Sequence, residues 1–587
     1  MHKTQGGVFP CDSGAGESLA QEVNDFFIEK IHLIREKLVQ NMETVTPSVS
    51  VQFQSFSDGK SACDKLSQFA ALSDNNVAKI LASRPSKHSA LDPIPTWLVK
   101  DNISKLLPLI TAIINSSFGS GEFPRLYKCA ALKPLLKKIG LDAMIFKNLR
   151  PISNLAFISK VLECAACNQY KSHLEEHGLH EVFQSAYKEN HSVETAVLCV
   201  HDDIMRALDQ KKSVVLVMLD LSAAFDTVDH TILLDLLEKR MGVSGLALKW
   251  FQSYLSGRSQ YVTINGKSSN SSQLTCGVPQ GSVLGPVLFT TYMLALGDIL
   301  RQLQTKFHCY ADDQELYIEF FVDESVTGNL ETSLSTVLAW LNKNFMSCNT
   351  DKTDMIIISP PQGPTPATFT INFSGDTIIP TKQVRNLGAI FDKNMKMEAH
   401  VNKRCQVAYQ HLRNIAQIRH CLNRQSCETL IHAFVTSRLD FMNAILYGLP
   451  ETLIAKLQRV QNAAARLLCG VQKFEHITPT LKSLHWLPIK QRIRYKICVL
   501  VFKCINGTAP TYLNDKLVKY IPSRSLRSSK DNKMLQVPKV RTRLGERGFS
   551  YNAPKLWNEL PYHIRSSGTI ETFKRNLKAH LYNIAYP

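Results

Sequence analysis

The chain of 587 residues is too long for a single hydrophobic core, and 44% hydrophobic with 20% charged residues excludes a disordered protein. A formal charge of +18 points to a polyanionic partner, and it is concentrated, since residues 481–587 hold 21 Lys and Arg against 5 Asp and Glu. Fifteen scattered cysteines fit a reducing compartment, and without a signal peptide or an apolar run approaching about eighteen residues the expectation is nucleus or cytoplasm, away from membranes.

In chain order, Phe26, Phe27, Ile31, Ile34 and Leu38 recur at helical spacing and predict an amphipathic helix over Val23–Val39. The Ser/Thr/Gln-rich stretch 45–60 reads as a linker. From about 74 to 210 the pattern is mainly helical, broken at Asp92-Pro93-Ile94-Pro95 and Arg150-Pro151. Cys164-Ala-Ala-Cys167 has C-x-x-C spacing, but no second Cys/His pair stands at zinc-finger distance, so it reads as small residues on a buried helix.

Residues 211–360 mix strands and helices. Lys212–Leu219 predicts a strand, Thr231–Met241 and Gly245–Leu255 helices, and Gln260–Ile264 with Gln273–Cys276 a hairpin around Asn265-Gly266. A long helix is expected from Val287, then a hairpin carrying residues 310–313, a helix over Leu330–Phe345 and a strand over Met355–Ile358. Val384–Ile390 reads as a short hairpin, and 401–470 returns to helical periodicity.

The chemistry gathers around acidic residues. Tyr310-Ala311-Asp312-Asp313 places two carboxylates at a tight turn, and Asp220 closes the apolar run Val214–Leu219. Two divalent ions roughly 3.5–4 Å apart need acidic oxygens of this kind. Five residues beyond Asp220, Phe225 has the place to lie under an incoming sugar and exclude a 2′-hydroxyl; it reads equally as core. The loop Gly277-Val278-Pro279-Gln280-Gly281-Ser282-Val283-Leu284-Gly285-Pro286 permits close approach to a ligand, with Gln280 as its long polar side chain and Gly281 on the primer/template side. Lys352, before the strand at 355, can protonate a departing pyrophosphate or simply be solvated. Gly388, in Leu387-Gly388, is a close-approach position able to grip a primer strand. Lys133 and Arg150 can meet a triphosphate, while Lys137 and Lys138 fit a generic basic surface.

Taken together, the order of these motifs resembles the reverse transcriptases of non-LTR (LINE-type) retrotransposons. The flanks agree: Leu91-Asp92-Pro93-Ile94-Pro95, Leu149-Arg150-Pro151-Ile152-Ser153, Gln184-Ser185 with His191-Ser192-Val193-Glu194-Thr195, and, in the tail, Leu484-His485-Trp486-Leu487-Pro488, Arg524-Ser525-Leu526-Arg527-Ser528 and Ala553-Pro554-Lys555-Leu556-Trp557-Asn558. The resemblance covers roughly 75–585. It implies an α+β right-hand polymerase of fingers, palm and thumb with a basic, mainly helical C-terminal extension. The matching divisions are an N-terminal helix and linker (1–74), fingers-like region (75–210), palm (211–395), helical thumb (396–475) and basic C-terminal domain (476–587). It also implies that Asp220, Asp312 and Asp313 bind two Mg²⁺ ions (Mn²⁺ as substitute), that Phe225 is the steric gate, that Gln280 contacts the nucleotide and that Tyr310 packs near the primer terminus. The partners implied are template RNA, its own element's transcript in the simplest case, primer or target DNA, and dNTPs. Residues 1–74 are too short for the endonuclease such proteins carry, so a 5′-truncated copy, or a gene model covering only the polymerase part, is expected. The rival readings are a silent relic that only binds nucleic acid and an intron-type reverse transcriptase with a maturase domain.

Overall fold

The run from Val214 to Leu219 carries no charge, and its β-branched and aliphatic side chains are buried almost without a break, as a central strand requires. Around it the chain builds an α+β structure. The computed structural model describes residues 9, 16–44, 65–87, 89–138, 140–321, 327–363, 370–373, 376–521 and 533–587. The predicted linker at 45–60 and the Arg524–Ser528 motif lie outside the described residues.

The strands in chain order are β1 (Cys129–Leu136), β2 (Leu149–Asn154), β3 (Ser213–Leu219), β4 (Leu221–Ser222), β5 (Arg258–Ile264), β6 (Lys267–Ser268), β7 (Ser272–Leu274) and β8 (Lys306–Tyr310). They continue with β9 (Asp313–Phe320), β10 (Ser347–Cys348), β11 (Asp354–Ile358), β12 (Ile371–Phe373), β13 (Asp376–Ile378), β14 (Gln383–Asn386) and β15 (Ala389–Asp392). The chain divides into two compact units, 1–181 with 220–304 and 332–350, and 182–219 with 305–331 and 351–587.

In the first unit, β1 and β2 form an antiparallel hairpin, and β1 continues into β5 in parallel. The stretch 74–210 is mainly helical as expected, but this hairpin within it was not foreseen. Cys129–Leu136 has no β-branched residue, and Pro134 faces Pro151 across the hairpin, so local propensity argues against a strand. Pairing on both edges decides otherwise. The N-terminal helix runs over Gly16–Thr44, longer than predicted, and buries Val23 and Phe27 with Leu132, Leu149 and Val262. Phe69, Phe118, Phe123, Trp250, Phe251 and Tyr254 interlock largely edge-to-face in a separate aromatic cluster. The predicted long helix from Val287 is two helices, Gly285–Tyr292 and Leu294–Gln302, broken at Met293.

In the second unit the sheet order is β11-β3-β9-β8, antiparallel throughout. Val214 and Leu216 of β3 share one core with Tyr317, Ile356, the helix Val193–Asp209 and the helices after 397. That helix starts with a capping box, in which the Ser192 and Thr195 side chains each accept the other's backbone N–H. The His191–Thr195 motif therefore has a structural reason. The helices Glu398–Gln417, Arg424–Ile431 and Glu451–Cys469 bear out the periodicity of 401–470. The tail adds Ile489–Ile505, Phe549–Asn558 and Ile570–Ala585, whose Trp557 and Phe573 lie in the same core. No described helix is long and apolar enough to cross a membrane.

Candidate active site

One end of the second unit's sheet gathers the acidic motifs. Leu219, the last residue of β3, is paired with Gln314, and Tyr310 is paired with Asp313 across the β8–β9 turn. Asp354, the first residue of β11, is opposite Met218. Hence the turn carrying Asp312 and Asp313, the β3 terminus that leads into Asp220, and the 3₁₀ turn ending at Lys352 all belong to the same end of the sheet. Asp220 itself belongs to the first unit, where its carbonyl accepts the Asn349 amide at 2.8 Å. Among the described residues, no three His, Cys, Asp or Glu side chains stand as a ready-made metal cage. Uncompensated carboxylates 4 Å apart repel by about 4 kcal/mol at an effective dielectric near 20.

The turn has only two loop residues, Ala311 and Asp312, and Ala311 takes φ +58°. Two-residue hairpin loops need left-handed backbone, which costs a non-glycine residue about 1 kcal/mol or more. Gln184 offsets that cost. Its Oε1 accepts the Ala311 N–H at 2.9 Å and the Ala186 N–H at 2.9 Å, and its Nε2 donates to the Ala311 carbonyl at 3.3 Å. Gln314 donates to the same carbonyl at 3.1 Å. The backbone around Gln184 extends the sheet, with Cys309 N–H donating to the Phe183 carbonyl and Ser185 N–H to the Cys309 carbonyl. Gln184 and Ser185 entered the sequence reading only as a family flank, because nothing local ties a glutamine to a turn some 125 residues later.

Two further residues near the turn were missed. Tyr187, itself at φ +62°, sits close enough for burial and the charge of Asp312 to raise its hydroxyl pKa. Glu315, two residues beyond Asp313 on β9, is buried, and burial pushes its carboxyl up to about 8, with the Asp313 charge adding in the same direction. It accepts a 2.7 Å hydrogen bond from Asn386 Nδ2, which ties β14 to β9. Gly388 follows in the β14–β15 turn at φ +94°, where a Cβ would come within 3.3 Å of the Phe441 ring. Arg404 stacks on Phe441 and donates to the Gly388 carbonyl at 2.7 Å, and burial with the like charges of Arg438 and Arg385 lowers its pKa to about 10.

The remaining predicted residues belong to the first unit. The Phe225 ring stacks on buried Phe289 with centroids 4.6 Å apart, and the Phe225 carbonyl accepts the Val278 N–H. Core packing on one face and partial exposure coexist in this ring. Gln280 lies 3.4 Å from the Asp226 carboxylate, and its carbonyl accepts the Ser153 N–H. Gly281, at φ +111°, brings its backbone so close to Ser153 that a Cβ would meet the Ser153 carbonyl at 2.7 Å. Lys133 and Arg150 are exposed on the same face of the β1–β2 hairpin, since their partners are Ile152 and Leu135. Lys137 instead donates to the Lys147 carbonyl.

Residues 136–391, spanning the turn, the Gly/Pro loop and the β14–β15 hairpin, match the family described as reverse transcriptase (RNA-dependent DNA polymerase). The chain carries a reverse transcriptase domain. It is 26% identical over 437 residues to the probable RNA-directed DNA polymerase from transposon BS of Drosophila melanogaster, covering 71% of this chain and 47% of that protein. It is 23% identical over 404 residues to the RNA-directed DNA polymerase from the mobile element jockey of the same fly, covering 68% and 43%. The chain thus spans about half the length of the curated relatives it matches. A telomerase from Candida albicans, solved with a fragment of telomeric RNA, overlays on 64% of this chain and 66% of its own at 12% identity and a TM-score of 0.33. These relatives are RNA-directed DNA polymerases of transposable elements, and the match with them fits the α+β right-hand polymerase fold. Enzymes of this family use divalent metal ions.

Gln184→Leu leaves the buried Ala311 amide unpaired, which costs about 1–3 kcal/mol. The expected outcome is at least a roughly tenfold lower kcat for RNA-templated primer extension with little change in nucleotide KM, because the acidic turn is displaced and not the binding surface. Equal kcat in steady-state extension contradicts the clamp. A second test uses pH. A glutamate whose folded pKa is near 8, above its ordinary 4.5, contributes stability that is full below about 4.5 and lost as pH rises through about 8. Glu315→Gln, which still accepts from Asn386, should therefore flatten the decline of Tm between about pH 5 and pH 8.5; parallel wild-type and variant curves refute the shift.

Proposed function

We propose that this chain is an RNA-directed DNA polymerase that adds deoxynucleotides to a DNA 3′-hydroxyl on an RNA template, within the life cycle of a LINE-type element. The observation that carries this reading is the register of the four-stranded sheet, with Leu219 opposite Gln314 and Tyr310 opposite Asp313. Asp220, the residue after β3, and the pair Asp312 and Asp313 are the hard oxygen donors that would hold the metal ions. Two Mg²⁺ ions held by these residues would supply acidification of the primer hydroxyl and charge stabilisation at the leaving pyrophosphate.

The protein's own residues do the rest. Gln184 fixes the backbone of the turn that carries Asp312 and Asp313. Lys133 and Arg150, on one hairpin face, bind the triphosphate. Phe225, backed by Phe289, presents a rigid wall to the sugar C2′ position, and Gln280 contacts the nucleotide from the neighbouring loop. Lys352 delivers a proton to pyrophosphate. Gly388, with Arg385, Arg404 and Arg438 around its hairpin, grips primer phosphates, while Tyr310 packs near the primer end. Fingers, palm and thumb correspond in this reading to 75–210, 211–395 and 396–475. The template is an RNA whose hybrid with DNA is held by backbone and shape.

Asp312→Asn is expected to cut magnesium-dependent extension of oligo(dT) on poly(rA) by roughly 10³-fold or more, the loss of several kcal/mol of metal-borne stabilisation, with RNA affinity nearly unchanged. Extension at the wild-type rate refutes the metal assignment. Phe225→Val should raise ribonucleotide incorporation relative to deoxyribonucleotide by about tenfold or more, as expected when a steric exclusion is removed. Unchanged sugar discrimination in single-nucleotide incorporation removes Phe225 from the gate.

A further inference from the structure

The first unit encloses a cavity of about 510 Å³ that no part of the proposed reaction uses. The helix Gly16–Thr44 forms one wall, and the β1–β2 hairpin, β5 and the segment 273–279 form the others. Ligand sites commonly fall near this size, largely apolar with a few convergent polar groups. Phe27, Ile31, Leu132, Leu274 and Phe345 give this one its apolar body.

Arg258 lines the cavity and is 1% exposed. Its Nη1 donates to the Tyr254 carbonyl at 3.0 Å, but its Nε and Nη2 are buried with no hydrogen-bond partner. An unsatisfied buried guanidinium donor costs several times what an ordinary neutral group does, so it marks the place of an acceptor. Glu163, the buried carboxylate that feels Arg258, uses its oxygens on Ser159, Tyr254 and the amides of Val283 and Leu284. Lys30 adds positive charge along the helix wall, while Arg35 beside it is paired with Asp229 at 2.6 Å. Asp226, also on the lining, opposes an anion weakly, because burial pushes its carboxyl up to about 7.

The cavity is separate from the proposed triphosphate surface. Leu132 and Ser153 are cross-strand partners that line it, whereas Lys133 and Arg150 project from the opposite face of the same hairpin.

We propose that this cavity is a binding site for a small molecule with a flat apolar body and a single anionic group, carboxylate, sulfonate or phosphate monoester, whose oxygens pair with the Arg258 guanidinium. The body lies between helix Gly16–Thr44 and the hairpin, and the anion points at Nε and Nη2. Occupancy there touches the loops that carry Phe225 and Gln280 from behind, through Asp226 and the segment 273–279. Binding is independent of whether the chain extends primers, so its failure and that of the polymerase reading are separable.

The test is fluorescence titration of the full chain with 8-anilinonaphthalene-1-sulfonate, and with neutral N-phenyl-1-naphthylamine as the matched body lacking the anion. One saturable sulfonate site per chain is expected, with the neutral dye at least about tenfold weaker, as for loss of a charge-assisted pair. Arg258→Gln should weaken the sulfonate dye at least about tenfold. Because Arg258 is buried, Ile31→Trp is paired with it; that change fills the cavity from the helix side, keeps the guanidinium, and should weaken both dyes. Equal affinity for the two dyes, non-saturating binding, unaltered binding in Ile31→Trp, or competitive displacement by poly(rA) each overturns the proposal. The last result would make the cavity part of the nucleic-acid path.

Discussion

A single two-residue turn governs the acidic end of the sheet. To bring Asp312 and Asp313 round together, the β8–β9 loop must hold Ala311 in left-handed backbone, and a non-glycine residue stays there only if something else pins it. Gln184 does so with one side chain, accepting one backbone amide of the turn and donating to the carbonyl of the same residue. A glycine at 311 would make the turn without help, but it would leave the loop freer; alanine with a buried amide clamp gives a turn with one conformation. Every other feature at that end of the sheet is placed relative to it through the β3–β9 and β3–β11 registers.

Charge is managed around that turn with the same economy. Glu315 lies on the same strand face as Asp313, yet burial favours its neutral form, so it adds hydrogen bonding without adding to the negative potential. The raised Asp226 carboxyl acts in the same way in the first unit. Elsewhere in the second unit, buried Lys516 lies against Asp202 and Asp203, with Tyr317 donating to Asp203. Breaking such a pair by removing one partner is costly, about 3–5 kcal/mol, because the other charge is stranded.

The basic tail takes on a second meaning in this light. Its charge suggested a phosphate-binding surface, but several of its cations have internal partners. Arg492 pairs with Asp440, Arg494 with Glu559, Lys496 with Glu194 and Lys516 with the Asp202–Asp203 pair. The backbone of Arg541 and Thr542 donates to Asp209 at the end of helix Val193–Asp209. Trp557 and Phe573 then bury their rings in the same core as β3. Part of the tail's positive charge is thus a fastening for the second unit.

Much of this was legible in the linear chain. The apolar run ending at Asp220, the acidic pair after Tyr310, the Gly/Pro loop around Gln280 and the hairpin at Gly388 are local signals, because each depends on residues that are neighbours in sequence. The helices of 401–470 followed from periodicity for the same reason, whereas the α+β class came from the family resemblance. What local pattern misjudged was β1, where a proline and alanines argue against a strand and pairing with β2 and β5 on its two edges makes it one, and β2, which pairs with β1 despite its own proline. The Gln184 clamp, the neutral Glu315 bonded to Asn386, and the unpaired Arg258 facing a cavity were beyond reach, since each joins residues scores of positions apart. Burial and hydrogen-bond satisfaction are properties of the folded arrangement, so the sequence by itself determined which chemical groups were present and in what order, and only the tertiary structure decided which of them carry charge, which are held still and which are left waiting for a partner.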